Sequence, residues 1–442
     1  MGRDSDILVG LDLGTTKITV AVAERVPERP DEAQIIGIGE APARNGLRKG
    51  MIVNLTQAVN SISDAIADAE SSLRGLKISR VAVSFSGQDV RCRLLHGKIS
   101  LGRNARRITR DDLNEVIDNA LSELQLKPEV TCLHAIPIKY AVDGNSGISD
   151  PIEMTGIKLE VDLAAVVLPA TVVRNVVNCV EKAGVKVSGL IVKPLAEALG
   201  TLSRDDREIG ASLISVGGGT TSVTVFSDGH LLHAAEIPVG GDHITNDIMQ
   251  IMKIPLQVAE DIKKQIDISP DSVMTGRISI ENRGRKQELE KGDIAEIVSL
   301  RLEELFTDAV LPSLNAVKKA GLPTEVIMTG GVMLSPGINE FAEHYLNMPV
   351  RTGAPVLKHE MQRGRNDCRY SAVCGVIVYL AEKKSNPFAY IETPVAEYKS
   401  GADEKAKFTW RREKKMPRHR RESESVKKNV ALGLKELFRQ LF

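Results

Sequence analysis

The chain has 442 residues, enough for two or more domains, and a 42% hydrophobic content that is ample for buried cores. Its 58 Lys+Arg balance 58 Asp+Glu, which argues against a dedicated nucleic-acid binder. Five scattered cysteines (Cys92, Cys132, Cys179, Cys368, Cys374) lack CxxC spacing, the histidines lack ligand spacing, and there is neither a signal peptide nor an apolar run of spanning length. A cytosolic chain with reduced thiols, no structural metal and no membrane span is expected.

The first element is a hairpin. Residues 7–24 (ILVGLDLGTTKITVAVAE) and 211–229 (ASLISVGGGTTSVTVFSDG) are near copies, each an apolar run, a Gly-Thr-Thr turn and a second run of alternating character. Glycines at a hairpin tip let backbone approach a ligand, and successive free N–H groups there form a concave anion site. One Gly-Thr turn is usually only a turn. Two in matching context predict a duplicated domain with a phosphate chain held between its halves.

Between the copies, a strand over 34–39 leads through Arg48-Lys49-Gly50-Met51-Ile52-Val53-Asn54 to a helix over 55–73. Asn54 is its N-cap, and Val59, Ile62, Ile66 and Ala69 form its apolar face. A strand over 80–85 completes an alternating α/β pattern. The texture changes over 86–167, where short strands (91–95, 132–140, 158–167) surround one helix, 110–125, and predict a small inserted α+β unit. A helix over 173–180 then ends at Gly184.

After the second hairpin come a strand over 234–239, the helix start Gly240-Gly241-Asp242, and a polar, helical stretch to about residue 291. A long helix over 293–320, a strand over 325–328, the turn Thr329-Gly330-Gly331, a strand over 349–352 and a helix over 370–381 follow. Charge- and proline-rich residues 385–424 predict a disordered linker. In residues 425–442, Val426, Val430, Leu434, Leu437, Phe438 and Leu441 share one helical face, with Lys427, Lys428, Lys435 and Arg439 elsewhere. As a helix of ~27 Å this segment is too short and charged to cross a bilayer. It suits the interfacial plane of an anionic membrane, aided by the upstream basic run; docking on the protein itself or on a partner helix is the alternative.

These loops resemble the superfamily of actin, the sugar kinases and the heat-shock chaperone ATPases. The resemblance implies a first phosphate loop at Asp12-Leu13-Gly14-Thr15-Thr16-Lys17, a second at Gly217-Gly218-Gly219-Thr220, and an adenosine loop at Thr329-Gly330-Gly331. It implies a ribose- and adenine-contacting helix over 259–264, with Glu260 and Lys263. Within the superfamily, residues 49–54, the insertion after Phe85 and residues 238–245 resemble the FtsA family of bacterial cell-division proteins. The resemblance covers residues 7–381 and the tail.

The implied fold is α/β: duplicated actin-like (ribonuclease H-like) lobes, an inserted α+β subdomain and a C-terminal amphipathic helix. The first lobe would hold 1–85, 168–195 and 355–384, with 86–167 inserted. The second would hold 196–241 and 293–354, with 242–292 as its smaller subdomain. The implied ligands are ATP and Mg²⁺, the ion held through water by Asp12, a residue that otherwise caps a turn. Lys17 either adds charge at the phosphates or is solvated; Glu260 either accepts from ribose hydroxyls or is an exposed helix residue.

Three positions depart from the superfamily pattern. Ser215 and Ser222 stand where many relatives have Asp, and Lys193 stands where many have an acid or amide that orients the attacking water. Loss of a positioning group costs ~10²–10⁴-fold in rate, so ATP binding with slow or negligible hydrolysis is expected. Glu197, one turn beyond Lys193, is either a substitute or a helix-surface residue.

The FtsA resemblance implies a self-associating, peripheral tether for FtsZ at the cytoplasmic face of the inner membrane. The FtsZ C-terminal peptide would bind within 242–292, and the inserted unit would serve self-association and later division proteins. Arg103, Arg106, Arg107 and Arg110 there either contact partners or form an exposed loop. The rival readings are the related scaffold of type IV pilus machinery, a small-molecule kinase and a chaperone-type ATPase.

Overall fold

A computed structural model describes residues 7–26, 29–73, 75–87, 89–270, 274–282, 284–317, 325–357 and 368–398. The tail helix expected at 425–442 and most of the expected linker lie outside these residues.

The two hairpins found in the sequence seed two sheets of the same topology. In the first, the strand order is Lys186–Val192, Arg80–Phe85, Ile7–Leu13, Lys17–Val26, Arg29–Pro42. Its first three strands run parallel and its last three antiparallel. In the second, Val350–Thr352, Val326–Thr329, Ala211–Val216, Thr221–Ser227 and His230–Ile237 repeat that order and those directions. Numbered by position in the chain, both halves read 5-4-1-2-3. The central strands are largely apolar, apart from Asp12, Ser212 and Ser215, because both their faces are covered, as parallel sheets require.

The Leu55–Ser72 helix covers one face of the first sheet, with Asn54 Oδ1 accepting from the Gln57 amide at 3.1 Å. Between the lobes the Lys193–Thr201 and Ser371–Ser385 helices cross at two glycines. A methyl carbon added to Gly200 would lie 1.9 Å from the Ser371 carbonyl oxygen, and one on Gly375 would lie 1.6 Å from that of Ala196. Backbone meets backbone here, so neither position has room for a side chain.

The inserted unit is an antiparallel sheet of Arg91–Ser100, Lys158–Pro169 and Val130–Val142, backed by the Arg110–Ser122 helix. Its first strand also meets the second lobe at the Arg91–Ala235 pair, so one continuous sheet runs through both. Arg106 binds Asp112 with two guanidinium nitrogens, at 2.7 and 2.5 Å, and Arg107 pairs with Glu153.

Three expectations are corrected. The stretch over 242–291 is not all helical. After the helices Gly241–Met252 and Leu256–Lys263 it forms a hairpin, Arg277–Asn282 with Arg285–Glu290, whose Ile278, Ile280 and Leu289 turn toward the second core. The long helix is interrupted: Lys291–Glu304 passes into a π-helical turn, Leu305–Val310, then into Leu311–Asn315. That widened turn precedes Pro312, which has no N–H to give the preceding turn. Residues 386–398, at the start of the expected linker, are ordered. They form a strap on the inserted unit, in which Ile391–Glu392 pairs with Ala135 and His134. Thr393 Oγ1 donates to the Cys132 carbonyl at 2.6 Å, and the Tyr398 hydroxyl lies 2.9 Å from Thr131 Oγ1. Tyr390 and Tyr398 are buried, and their ring area holds the strap down.

Candidate nucleotide site

The two glycine turns meet. A methyl carbon on Gly218 would lie 2.1 Å from Thr16 Oγ1, and one on Gly219 would lie 2.5 Å from Thr15 Oγ1. Only glycine lets the second tip approach the hydroxyls of the first this closely. The Gly241–Met252 helix starts on the same tip, its Gly241 and Asp242 amides donating to the Gly217 and Gly218 carbonyls at 2.9 and 2.7 Å. Gly14 and Thr220 complete the tips. The loop expected to close over the adenosine stands beside them: a methyl on Gly330 (φ 97°) would lie 2.4 Å from the Val216 carbonyl, while Gly331 faces open space.

On the helix beyond, Lys263 Nζ donates to Glu260 Oε2 at 2.5 Å, Thr245 Oγ1 at 2.8 Å and the Gly241 carbonyl at 3.2 Å. Lys264 approaches the other Glu260 oxygen at 3.3 Å. Burial alone would raise the Glu260 pKa, but the Lys263 and Thr245 hydrogen bonds outweigh it and hold the carboxyl below its ordinary value. Glu260 is thus a half-buried, fixed anion near the Gly241–Met252 helix start that rests on the second glycine turn.

Lys17 is directed elsewhere. Its ammonium pairs with Glu40 at 3.0 Å and lies 3.7 Å from the Tyr370 ring centre. Asp12 is buried at the end of its strand; Oδ1 accepts from Ser84 Oγ at 2.7 Å and Oδ2 from Lys193 Nζ at 3.1 Å. The carboxylate expected to face Mg²⁺ therefore meets a cation from its own chain. A carboxylate-held divalent ion does not fit this arrangement, because an ammonium already sits on Asp12 and hydroxyls replace two acids.

Lys193 is the first residue of its helix, ahead of Pro194, and its side chain is 13% exposed. Burial works against its charge, but Asp12, Glu197 and Glu236 outweigh that and raise its pKa. Glu197 is not on a helix surface. It is 6% exposed, since every residue over 194–201 is enclosed. Burial pushes its carboxyl up to about 8 with Glu236 adding to the rise, while Lys193 and the Ser222 and Ser215 hydroxyls oppose it. Its Oε2 has no hydrogen-bond partner among the described residues.

Two participants were not found from sequence. Glu236, raised by burial, accepts from Ser222 Oγ at 3.1 Å; its place follows from the Ser222–Glu236 strand pair. The Lys49-Gly50 tip touches the first glycine turn, Gly50 N donating to Thr15 Oγ1 at 3.1 Å, and Lys49 adopts φ 49°. A lysine in the left-handed region beside a glycine marks a tight turn held by its neighbours.

Comparison with known proteins agrees with this architecture. A family profile described as "Cell division protein FtsA" matches residues 212–375, and "SHS2 domain inserted in FTSA" matches residues 87–167. The chain is 33% identical to the cell division protein FtsA of Borreliella burgdorferi, over 86% of this chain and 92% of that one. It is 31% identical to FtsA of Pseudomonas aeruginosa, over 87% and 91% of the two chains. Among solved structures, the fold is shared with a PilM-PilN type IV pilus biogenesis complex (TM-score 0.60, 16% identity, 85% of this chain and 98% of that one). It is also shared with MreB5 of Spiroplasma citri bound to ADP (TM-score 0.50, 14% identity, 87% and 100%). Sequence relationship and duplicated actin-like lobes with the SHS2 insertion together show that the chain belongs to the FtsA family of cell-division proteins.

Proposed function

We propose that the chain binds an adenine nucleotide between its lobes, self-associates, and carries FtsZ polymers to the inner face of the cytoplasmic membrane. The observation that carries the nucleotide reading is the close contact of the two glycine tips, Gly218 against Thr16 and Gly219 against Thr15, which brings the matching turns of both lobes together. Glycine turns of this kind form anion sites. Calorimetric titration of the full chain with ATP and ADP tests it; absence of heat from both nucleotides overturns it.

Hydrolysis is slow or negligible on this reading. An ammonium occupies the position where a water-orienting acid or amide is needed, and Glu197 is held toward its protonated form, in which it is a poor base.

The subdomain over 242–292, with the adjoining helix, is the surface for the FtsZ C-terminal peptide. Ile251 and Leu256 are 61% and 52% exposed there, and Leu300 is 59% exposed on the Lys291–Glu304 helix, which packs on Gly241–Met252. These exposed apolar side chains would be the apolar anchors for the peptide. Among the described residues no helix is long and apolar enough to cross a membrane. The attachment assigned here is the amphipathic face of residues 425–442, held to anionic lipid and reinforced by avidity in a polymer. Family membership at this identity sets aside the pilus scaffold, with which only the fold is shared.

A further inference from the structure

We infer that Lys193 takes the place of the divalent cation, so that the cleft binds free adenine nucleotide without Mg²⁺. This rests on the nucleotide reading above and deepens it.

Strand pairing, rather than side-chain choice, brings the lysine to the site. Asp12 pairs with Ser84 and Leu13 with Phe85; in turn Ile191 pairs with Ser84 and Val192 with Phe85. The carboxyl ends of three parallel strands therefore lie level, which is where open α/β sheets receive ligands. Lys193 follows Val192 directly, and Pro194 starts the helix there, so the residue emerges at the same level as Asp12.

Its Nζ, 3.1 Å from Asp12 Oδ2, is held on one side by that carboxylate and lies among Glu197 and Glu236. Ser84 takes the other Asp12 oxygen. A divalent ion drawn to Asp12 would face a fixed ammonium at contact range. The carboxyls nearest it, Glu197 and Glu236, both have their pKa raised by burial, and Ser215 and Ser222 offer only buried hydroxyls. No cluster of three or more metal-ligating side chains occurs among the described residues. Lys17, the other lysine next to the first phosphate turn, is engaged by Glu40. The cation that stands on the Asp12 carboxylate is Lys193, and the ligand class that fits is a nucleotide polyphosphate not complexed to metal.

The test is nucleotide affinity of the full chain, with ATP and ADP as probes, in Mg²⁺ and again in excess EDTA. The expected change on chelation is less than about fivefold, and any greater weakening overturns the inference. The Lys193→Gln variant is expected to lose about tenfold or more in EDTA and to regain affinity with Mg²⁺, because Asp12 is then free. Lys193→Arg, which keeps the charge, is expected to retain metal-independent binding and serves if Lys193→Gln does not fold. Lys193→Gln binding unchanged in EDTA, or Lys193→Arg binding that needs Mg²⁺, overturns the assignment. Binding by the native chain only with Mg²⁺ leaves the nucleotide reading intact and removes this one; no binding in either condition removes both.

Discussion

Gly218 of the second lobe sits against Thr16 of the first so tightly that one added carbon would lie 2.1 Å from the threonine hydroxyl. The two turns are thus a matched pair, each shaped by the other. Gly218→Ala is expected to push them apart, costing about 1–3 kcal/mol in stability and at least about tenfold in nucleotide affinity. Thermal denaturation and calorimetry on the same preparation check both effects. Unchanged affinity in a folded variant would show that the contact does not shape the binding site.

The waist between the lobes gives a sharper stability prediction. Gly375→Ala places a carbon 1.6 Å from the Ala196 carbonyl, backbone that cannot swing away. Overpacking that forces two helices apart is expected to cost upward of about 3 kcal/mol, read as a lowered urea midpoint. A loss below about 1 kcal/mol would mean that the crossing is loose.

Glu197 predicts a pH dependence. Its pKa rises from 4.5 to about 8 on folding, so the folded state keeps a proton that the unfolded state releases. The stability from that proton is full below about 4.5 and is lost as pH rises through about 8. Glu197→Gln is expected to flatten the decline in unfolding free energy between these limits, by on the order of a few kcal/mol, read as a flatter Tm–pH profile. Parallel Tm profiles for native and variant chains would remove Glu197 as the source.

Leu437→Glu with Phe438→Glu places two charges on the apolar face of the terminal segment. Co-sedimentation with anionic liposomes is expected to be abolished. Retention of binding would assign membrane attachment to the upstream basic residues instead.

The duplicated core was legible because each hairpin carries its turn residues between apolar runs of strand character. The Arg277–Glu290 hairpin was not, because only Ile278, Ile280 and Leu289 turn toward the core and its charged residues read as a solvated helix. The interruption at Leu305–Val310 leaves no periodicity signal, since a π-turn shifts phase by one residue within a continuous helical run. Glu197 was misjudged for a tertiary reason: its helix is enclosed on all sides by the Ser371–Ser385 helix and both sheets. The acidity of the cleft likewise depends on Glu236, whose relation to Ser222 exists only across a strand pair. The strap at 386–398 was hidden by composition, since few aromatic residues in a charged, proline-containing stretch suffice to fasten it.

The strap also fixes where force on the C-terminal segment would be felt. Everything beyond residue 398 is covalently continuous with Tyr398, which is joined to Thr131 of the inserted unit. A pull on the chain beyond Tyr398 would fall on the strap's fastenings to Thr131, Cys132 and Ala135 of the inserted unit and, through Tyr390 and Glu392, on the Ser371–Ser385 helix. Load would be shared between the two rather than reach the glycine turns directly.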